Sequence, residues 1–61
     1  MRAAERPAVA VVIPCLNEEQ GIELVLRRMP VFVDEIIVVD NGSADRTADV
    51  AQRFGARVIR E

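Results

Sequence analysis

Three short runs of branched apolar residues alternate with two longer segments in which apolar residues recur every three or four positions. The runs lie at residues 9–13 (VAVVI), 35–40 (EIIVVD) and 56–60 (ARVIR). Continuous β-branched runs of this length predict strands, and the first two predict strands buried on both faces. The third run is shorter and has charged ends, which favours a position nearer the edge of a sheet.

The segment between the first two runs predicts an amphipathic helix. Asn17 is a suitable N-cap, and Glu18 and Glu19 suit the first turn because carboxylates are favoured at the positive end of a helix. Pro30 ends the helix at or before the preceding residue. The apolar positions of this helix share one face: Ile22, Val25, Leu26 and Met29.

A second, shorter helix is predicted before the third run. Ser43 or Asp45 can cap its start, and Gly55 ends it. Its apolar face holds Thr47, Val50, Ala51 and Phe54. The resulting order, β-α-β-α-β, predicts an α/β fold with a parallel sheet and right-handed crossovers.

Two helices can hardly cover both faces of a three-stranded parallel sheet. A chain of 61 residues also buries only about 60% of the surface that its unfolded form exposes, which leaves its stability marginal. We therefore interpret residues 8–61 as the incomplete N-terminal part of a larger domain, preceded by an N-terminal tail at residues 1–7.

Composition excludes several classes of protein. The net charge is −2, which argues against bulk nucleic-acid binding. With one cysteine and no histidine, the chain forms no internal disulfide and no zinc cage, and Cys15 has no histidine base that would make it a nucleophile. No apolar run approaches the roughly 18 residues of a membrane span, and the N-terminus lacks the apolar core of a signal peptide, so a cytoplasmic location is predicted.

Polar residues gather where the first two strands end. We call residues 14–19 (PCLNEE) the first cluster and residues 40–45 (DNGSAD) the second cluster. In an open α/β sheet, ligands bind beyond the carboxyl ends of the strands, so the two clusters are expected to form one site. Asp40 and Asn41 suit the N–H edge of uracil or guanine and the hydroxyls of a ribose, and Gly42 lets the backbone approach a ligand.

Structural roles compete with ligand contact at several of these positions. Ser43 and Asp45 equally suit turn formation and helix capping, and Glu18 and Glu19 could be only favourable first-turn residues. Neither a dinucleotide motif (G-x-G-x-x-G) nor a P-loop is present after the first strand. A phosphotransferase of the haloacid-dehalogenase type is disfavoured because glycine stands two positions after Asp40.

The paired motifs P-x-x-N-E-E and V-V-D-N-G-S-x-D-x-T, at this spacing, resemble the start of a family 2 glycosyltransferase with the nucleotide-binding, Rossmann-like GT-A fold. The resemblance covers residues 8–61 and is to enzymes similar to dolichol- and polyprenyl-phosphate sugar synthases. It implies a nucleotide-diphospho-sugar site formed by Pro14, Leu16, Asn17, Glu18, Glu19, Asp40, Asn41, Gly42 and Ser43. Many members carry a second aspartate where this chain has Asn41, so the base, uracil or guanine, stays open.

The resemblance also implies what lies outside this chain. The aspartates that bind Mg²⁺ or Mn²⁺, and the catalytic base of inverting members, come later in the family, so this chain holds no catalytic and no metal-binding residue. The expected donor is a UDP- or GDP-sugar and the acceptor a lipid phosphate or a saccharide, which allows peripheral association with the cytoplasmic face of a membrane. The alternatives are a non-catalytic nucleotide-binding fragment or pseudoenzyme and, with less support, a sugar nucleotidyltransferase, which would need a glycine-rich basic loop where PCLNEE stands.

Overall fold

The computed structural model describes residues 8–61, so the predicted tail at residues 1–7 lies outside the described residues. The elements alternate as predicted. They are strand β1 (Ala10–Cys15), helix α1 (Glu19–Arg27), strand β2 (Glu35–Asp40), helix α2 (Thr47–Arg53) and strand β3 (Arg57–Arg60). The predicted bounds of β2 are confirmed. Strand β1 was predicted at residues 9–13 and differs at both ends, and β3, predicted at 56–60, begins one residue later.

The three strands form one parallel sheet in the order β1-β2-β3, so β3 lies at an edge as predicted. The register pairs Cys15 with Asp40 and Asp40 with Arg60. The pairing continues one residue further, because Asn41 donates its N–H to the carbonyl oxygen of Cys15 at 2.9 Å. The first and second clusters therefore begin side by side at the carboxyl ends of adjacent strands.

Both helices pack on the same face of the sheet. Successive right-handed crossovers that move in one direction across a parallel sheet place their helices on one side. The core between sheet and helices consists of Cys15, Ile22, Leu26, Val38, Val50, Ala51 and Ala56. Ile22, Leu26, Val50 and Ala51 come from the predicted helix faces, whereas Val25 is exposed on α1.

The prediction that β1 and β2 are buried on both faces is wrong within residues 8–61. Burial alternates along β1, and Val12 is 58% exposed on the face away from the helices. On that face Ile37 and Val39 are half-buried and Ile59 is exposed. The run of β-branched residues describes strand propensity correctly, but only the helix-covered face has a layer packed on it here.

The end of α2 follows the predicted stop. Gly55 adopts φ +86°, a left-handed conformation that glycine adopts without strain, and Ala56 then donates its N–H back to the carbonyl oxygen of Ala51 at 3.0 Å. Arg27 links the two helices: its guanidinium lies 5.3 Å from the ring centre of Phe54 and pairs with Glu23 at 3.0 Å.

Candidate functional site

The two clusters are joined by a reciprocal pair of hydrogen bonds. The backbone N–H of Asn17 donates to Oγ of Ser43 at 2.9 Å, and Oδ1 of Asn17 accepts the N–H of Ala44 at 2.8 Å. Asn17 itself has φ +53°, a left-handed conformation that asparagine tolerates better than most residues. The prediction that Asn17 caps its own helix is therefore wrong: its side chain caps the opposite loop.

The start of α1 is held by side chains from the start of α2. Glu18 donates its N–H to Oγ1 of Thr47 at 2.9 Å, and Glu19 donates its N–H to Oδ2 of Asp45 at 3.2 Å. In return, Oε1 of Glu19 accepts the N–H of Arg46 at 3.2 Å. The first amides of a helix have no partner within the helix, and here each helix supplies acceptors to the other.

Asp40 lies below this junction, at the end of the central strand. Its side chain is 3% exposed, and its Oδ1 accepts the N–H of Ser43 at 3.0 Å. Between them, Gly42 turns the chain at φ +86°. Asn41 is exposed, and its side-chain amide makes no hydrogen bond with any of residues 8–61. Of the Asp40–Asn41 pair, Asn41 is thus the one whose side chain is open to an incoming molecule.

The predicted site residues fall into two groups. Pro14, which pairs with Val39 in the sheet, and Leu16 just after β1 are exposed, as are Asn41 and Gly42 just after β2. The junction between the clusters contains Asn17, the backbone of Glu18, the side chain of Glu19, Asp40 and Ser43. The structure thus brings both clusters into one region. Its base is the hydrogen-bonded junction between the clusters, and its exposed rim consists of Pro14, Leu16, Asn41 and Gly42.

Two depressions flank the first cluster. A groove of about 400 Å³ is lined by Asn17, Glu18, Glu19, Gln20, Gly21 and Asp45. A smaller one of about 220 Å³ is lined by Ile13, Pro14, Cys15, Glu18, Gly21, Ile22 and Val25. Neither is lined by residues 40–43, so this part of the second cluster meets solvent on a separate surface, whereas Asp45 of the same cluster lines the larger groove. Gly21 lines both depressions, and a Cβ there would lie 2.9 Å from Oε2 at the end of the flexible Glu18 side chain.

The larger groove is acidic, and the amides of residues 17–19 beside it are occupied. Glu18, Glu19 and Asp45 all line it. A helix N-terminus binds anions through free N–H groups, and the N–H groups of residues 17–19 already donate to Ser43, Thr47 and Asp45. This groove is therefore unsuited to holding a phosphate group by itself.

Two titratable groups are shifted by these surroundings. The Thr47 hydroxyl, which donates a hydrogen bond to Oδ1 of Asp45, lowers the pKa of that carboxyl, and the N–H donors of Thr47 and Glu19 act in the same direction. Burial raises the pKa of the Cys15 thiol, and the nearby carboxylates of Glu18 and Asp40 raise it further. The Cys15 thiol is thus protonated at neutral pH, as suits a packing residue rather than a nucleophile.

Sequence reasoning missed the part that Thr47 plays. The sequence pattern places Thr47 only on an apolar helix face, yet its hydroxyl is a buried acceptor for the amide of Glu18. Asp45 was assigned to its own turn and helix, and the structure adds the contact with Glu19. The signal available in the sequence is the hydroxyl of Thr47, which stands two residues after Asp45 at the predicted start of the second helix.

Residues 8–61 offer no group of three or more histidine, cysteine, aspartate or glutamate side chains arranged to hold a metal ion. In the same range, no helix combines the length and the apolar character needed to cross a membrane.

Comparison with known proteins identifies the family. Residues 10–61 match the family model described as "Glycosyl transferase family 2". An uncharacterized glycosyltransferase of Mycobacterium tuberculosis is 52% identical over 54 residues, which are 88% of this chain and 24% of that protein. The undecaprenyl-phosphate 4-deoxy-4-formamido-L-arabinose transferase of Edwardsiella ictaluri is 41% identical over 61 residues, covering 84% of this chain and 19% of the relative. The chain therefore spans about a quarter or less of these relatives.

Solved structures agree with the fold. The crystal structure of glucosyl-3-phosphoglycerate synthase from M. tuberculosis with Mn²⁺ and UDP-glucose matches with a TM-score of 0.78 at 46% identity, covering 93% of this chain and 21% of that one. The same enzyme with Mn²⁺, UDP-glucose and glycerol 3-phosphate matches with a TM-score of 0.78 at 44% identity, covering 93% and 22%. The predicted fold class, the β-α-β-α-β start of a Rossmann-like GT-A domain, is confirmed.

Proposed function

This chain belongs to glycosyl transferase family 2, and we propose that the whole protein transfers a sugar from a nucleotide-diphospho-sugar to an acceptor, with residues 8–61 forming the start of its nucleotide-binding part. The observation that carries the proposal is the interlocking of the two clusters at the carboxyl ends of β1 and β2. Asn17 and Ser43, 26 positions apart, are held within hydrogen-bonding distance there. An α/β sheet binds its ligand at this edge.

The exposed rim supplies the contacts to the nucleotide. Leu16 and Pro14 offer apolar surface for a base, and Asn41 offers one acceptor and two donors. The amide oxygen of Asn41 can accept the ring N–H of uracil while its NH₂ group donates to a neighbouring carbonyl. Asp40 lies beneath the rim at the end of β2. It fixes the turn by accepting the N–H of Ser43, and its negative charge attracts the hydrogen-bond donors of the base and ribose.

The donor nucleotide is proposed to be UDP, with GDP as the alternative. UDP is supported by the solved neighbours, whose crystals hold UDP-glucose. Their Mn²⁺ supports a divalent cation, Mg²⁺ or Mn²⁺, for the whole protein. Since residues 8–61 offer no fitting cluster, we assign the cation to residues outside this chain. When bound, such an ion neutralises charge on a diphosphate leaving group.

The acceptor is proposed to be a lipid phosphate or a saccharide. A lipid phosphate is supported by the undecaprenyl-phosphate transferase among the relatives. With such an acceptor the protein would work in the cytoplasm at the membrane face. The residues that deprotonate or orient the acceptor are likewise assigned to the part of the protein outside this chain.

Calorimetric titration of the whole protein with UDP and with GDP, in the presence of Mn²⁺, tests the proposal. We expect saturable one-to-one binding of one of the two nucleotides, since the rim offers hydrogen bonds to a base. Binding of neither would refute it. Release of the nucleotide from a UDP-sugar when acceptor is added distinguishes the transferase from a non-catalytic nucleotide-binding protein, which would bind without turnover.

A further inference from the structure

We propose that Thr47 and Asp45 are positioning residues of the nucleotide site, which fix the first cluster in place from the start of α2. The inference rests on the proposed function, because it assigns how that same pocket is held in shape. Neither residue is assigned a contact with the nucleotide itself.

The anchor is a buried hydroxyl. Thr47 is fully buried, and its Oγ1 accepts the N–H of Glu18 at 2.9 Å. Glu18 is the N-cap residue of α1, and no side chain within that helix caps it. The position of the start of α1 thus depends on an acceptor that lies 29 residues further along the chain.

Asp45 orients that hydroxyl. A threonine hydroxyl has one proton to donate and lone pairs that accept. The proton of Thr47 is directed to Oδ1 of Asp45, which leaves a lone pair facing the amide of Glu18. The other carboxylate oxygen, Oδ2, accepts the N–H of Glu19 at 3.2 Å. The two residues therefore hold two consecutive amides of α1 as one unit.

The segment fixed in this way carries the part of the exposed rim that belongs to the first cluster. Leu16 and Asn17 immediately precede Glu18, and Asn17 adopts a left-handed conformation that the junction must maintain. Loss of the anchor at Glu18 would let Leu16 move relative to Asn41 on the second cluster. The nucleotide would then have to order the first cluster as it binds, which weakens affinity.

Thr47→Val in the whole protein removes the hydroxyl while keeping nearly the same buried volume. We expect the Kd for UDP to rise about five- to tenfold, the range for one lost neutral hydrogen bond. The donor KM should rise similarly with kcat unchanged, because the reacting centre lies elsewhere. Thr47→Ser keeps the hydroxyl and should restore donor affinity to within about twofold of the native protein.

Asp45→Asn supplies an independent variant, since Asp45 is exposed and its replacement does not disturb the core. Glu19 and Thr47 donate to different oxygens of Asp45, and asparagine replaces one of these oxygens with an NH₂ group that cannot accept. We expect about a three- to tenfold rise in Kd.

Asp49→Asn is the matched control, because it makes the same change one turn later on α2. Asp49 lies 3.8 Å from Arg46, and its replacement should change Kd by less than about twofold. If Thr47→Val does not fold, the Kd of Asp45→Asn for UDP alone tests the inference.

Amide hydrogen exchange at Glu18 and Glu19 is measured alongside the titrations. Both measurements are made under conditions in which each variant is folded. Faster exchange at these two amides together with the raised Kd supports the inference. Unchanged UDP affinity in both variants would overturn the inference, and so would a fall in kcat with an unchanged donor KM. Neither result would contradict the proposed function. A native protein that binds neither UDP nor GDP overturns the proposed function, and the inference with it.

Discussion

Replacement of Asp40 by alanine is expected to weaken nucleotide binding by the whole protein by about 1.5–3 kcal/mol, or about 10- to 150-fold in Kd. The carboxylate is 3% exposed at the end of the central strand, and it holds the N–H of Ser43. Alanine therefore removes a charged acceptor from the pocket wall and also releases the turn that presents Asn41. Calorimetric titration with the nucleotide measures the loss.

Two further variants separate these contributions. Asp40→Asn keeps an oxygen for the N–H of Ser43 but replaces the charge and the second oxygen with an NH₂ group, so it should lose less affinity than alanine. Asp49→Ala removes an exposed carboxylate in the first turn of α2 that makes no hydrogen bond to either cluster within residues 8–61, and it should leave affinity unchanged. Native affinity in Asp40→Ala would show that this residue serves the nucleotide site neither directly nor through the turn.

Replacement of Ile22 by alanine is expected to lower the free energy of unfolding of the whole protein by about 2–5 kcal/mol. Ile22 is 2% exposed on α1 and belongs to the core cluster with Leu26 and Val38. Removal of its outer carbons leaves a cavity between helix and sheet that the parallel strands cannot close without losing their register. Denaturant unfolding followed by circular dichroism gives the difference.

Leu24 provides the control on the same helix. It is 57% exposed and two residues from Ile22, on the outward face of α1. Leu24→Ala should change the free energy of unfolding by about 0.5 kcal/mol or less, as at other surface positions. Similar losses in the two variants would contradict the packing described for α1.

The fold could be predicted largely because its signals are local. The β-branched run at 35–40 has the same bounds as β2, and the alternation of strands and helices fixed the parallel pairing. Parallel pairing in turn placed Cys15 beside Asp40, so the meeting of the two clusters at one edge followed from the pattern alone. The exposure of Val12 did not follow, because a run of valines describes a strand and not which layers cover it.

The contacts within the site could not be predicted, because they are long-range. Capping rules relate a side chain to amides two or three residues later, and on that basis Asn17 caps α1. In the structure its acceptor oxygen serves Ala44, and the amide of Glu18 is served by Thr47. Such partners depend on how closely the two helix starts approach, and that distance is set by strand pairing and core packing together.

Amide chemical-shift mapping tests the central claim, that the two clusters form a wall of the nucleotide pocket. UDP, or GDP if that is the nucleotide bound, is titrated with Mg²⁺ into ¹⁵N-labelled whole protein, and residues 8–61 are followed. The account predicts that the largest shifts in this range occur at Leu16, Asn17, Asn41 and Gly42. Saturable binding that leaves these amides unshifted, with changes confined to positions such as Val31 and Phe32 near the opposite end of β2, would contradict it.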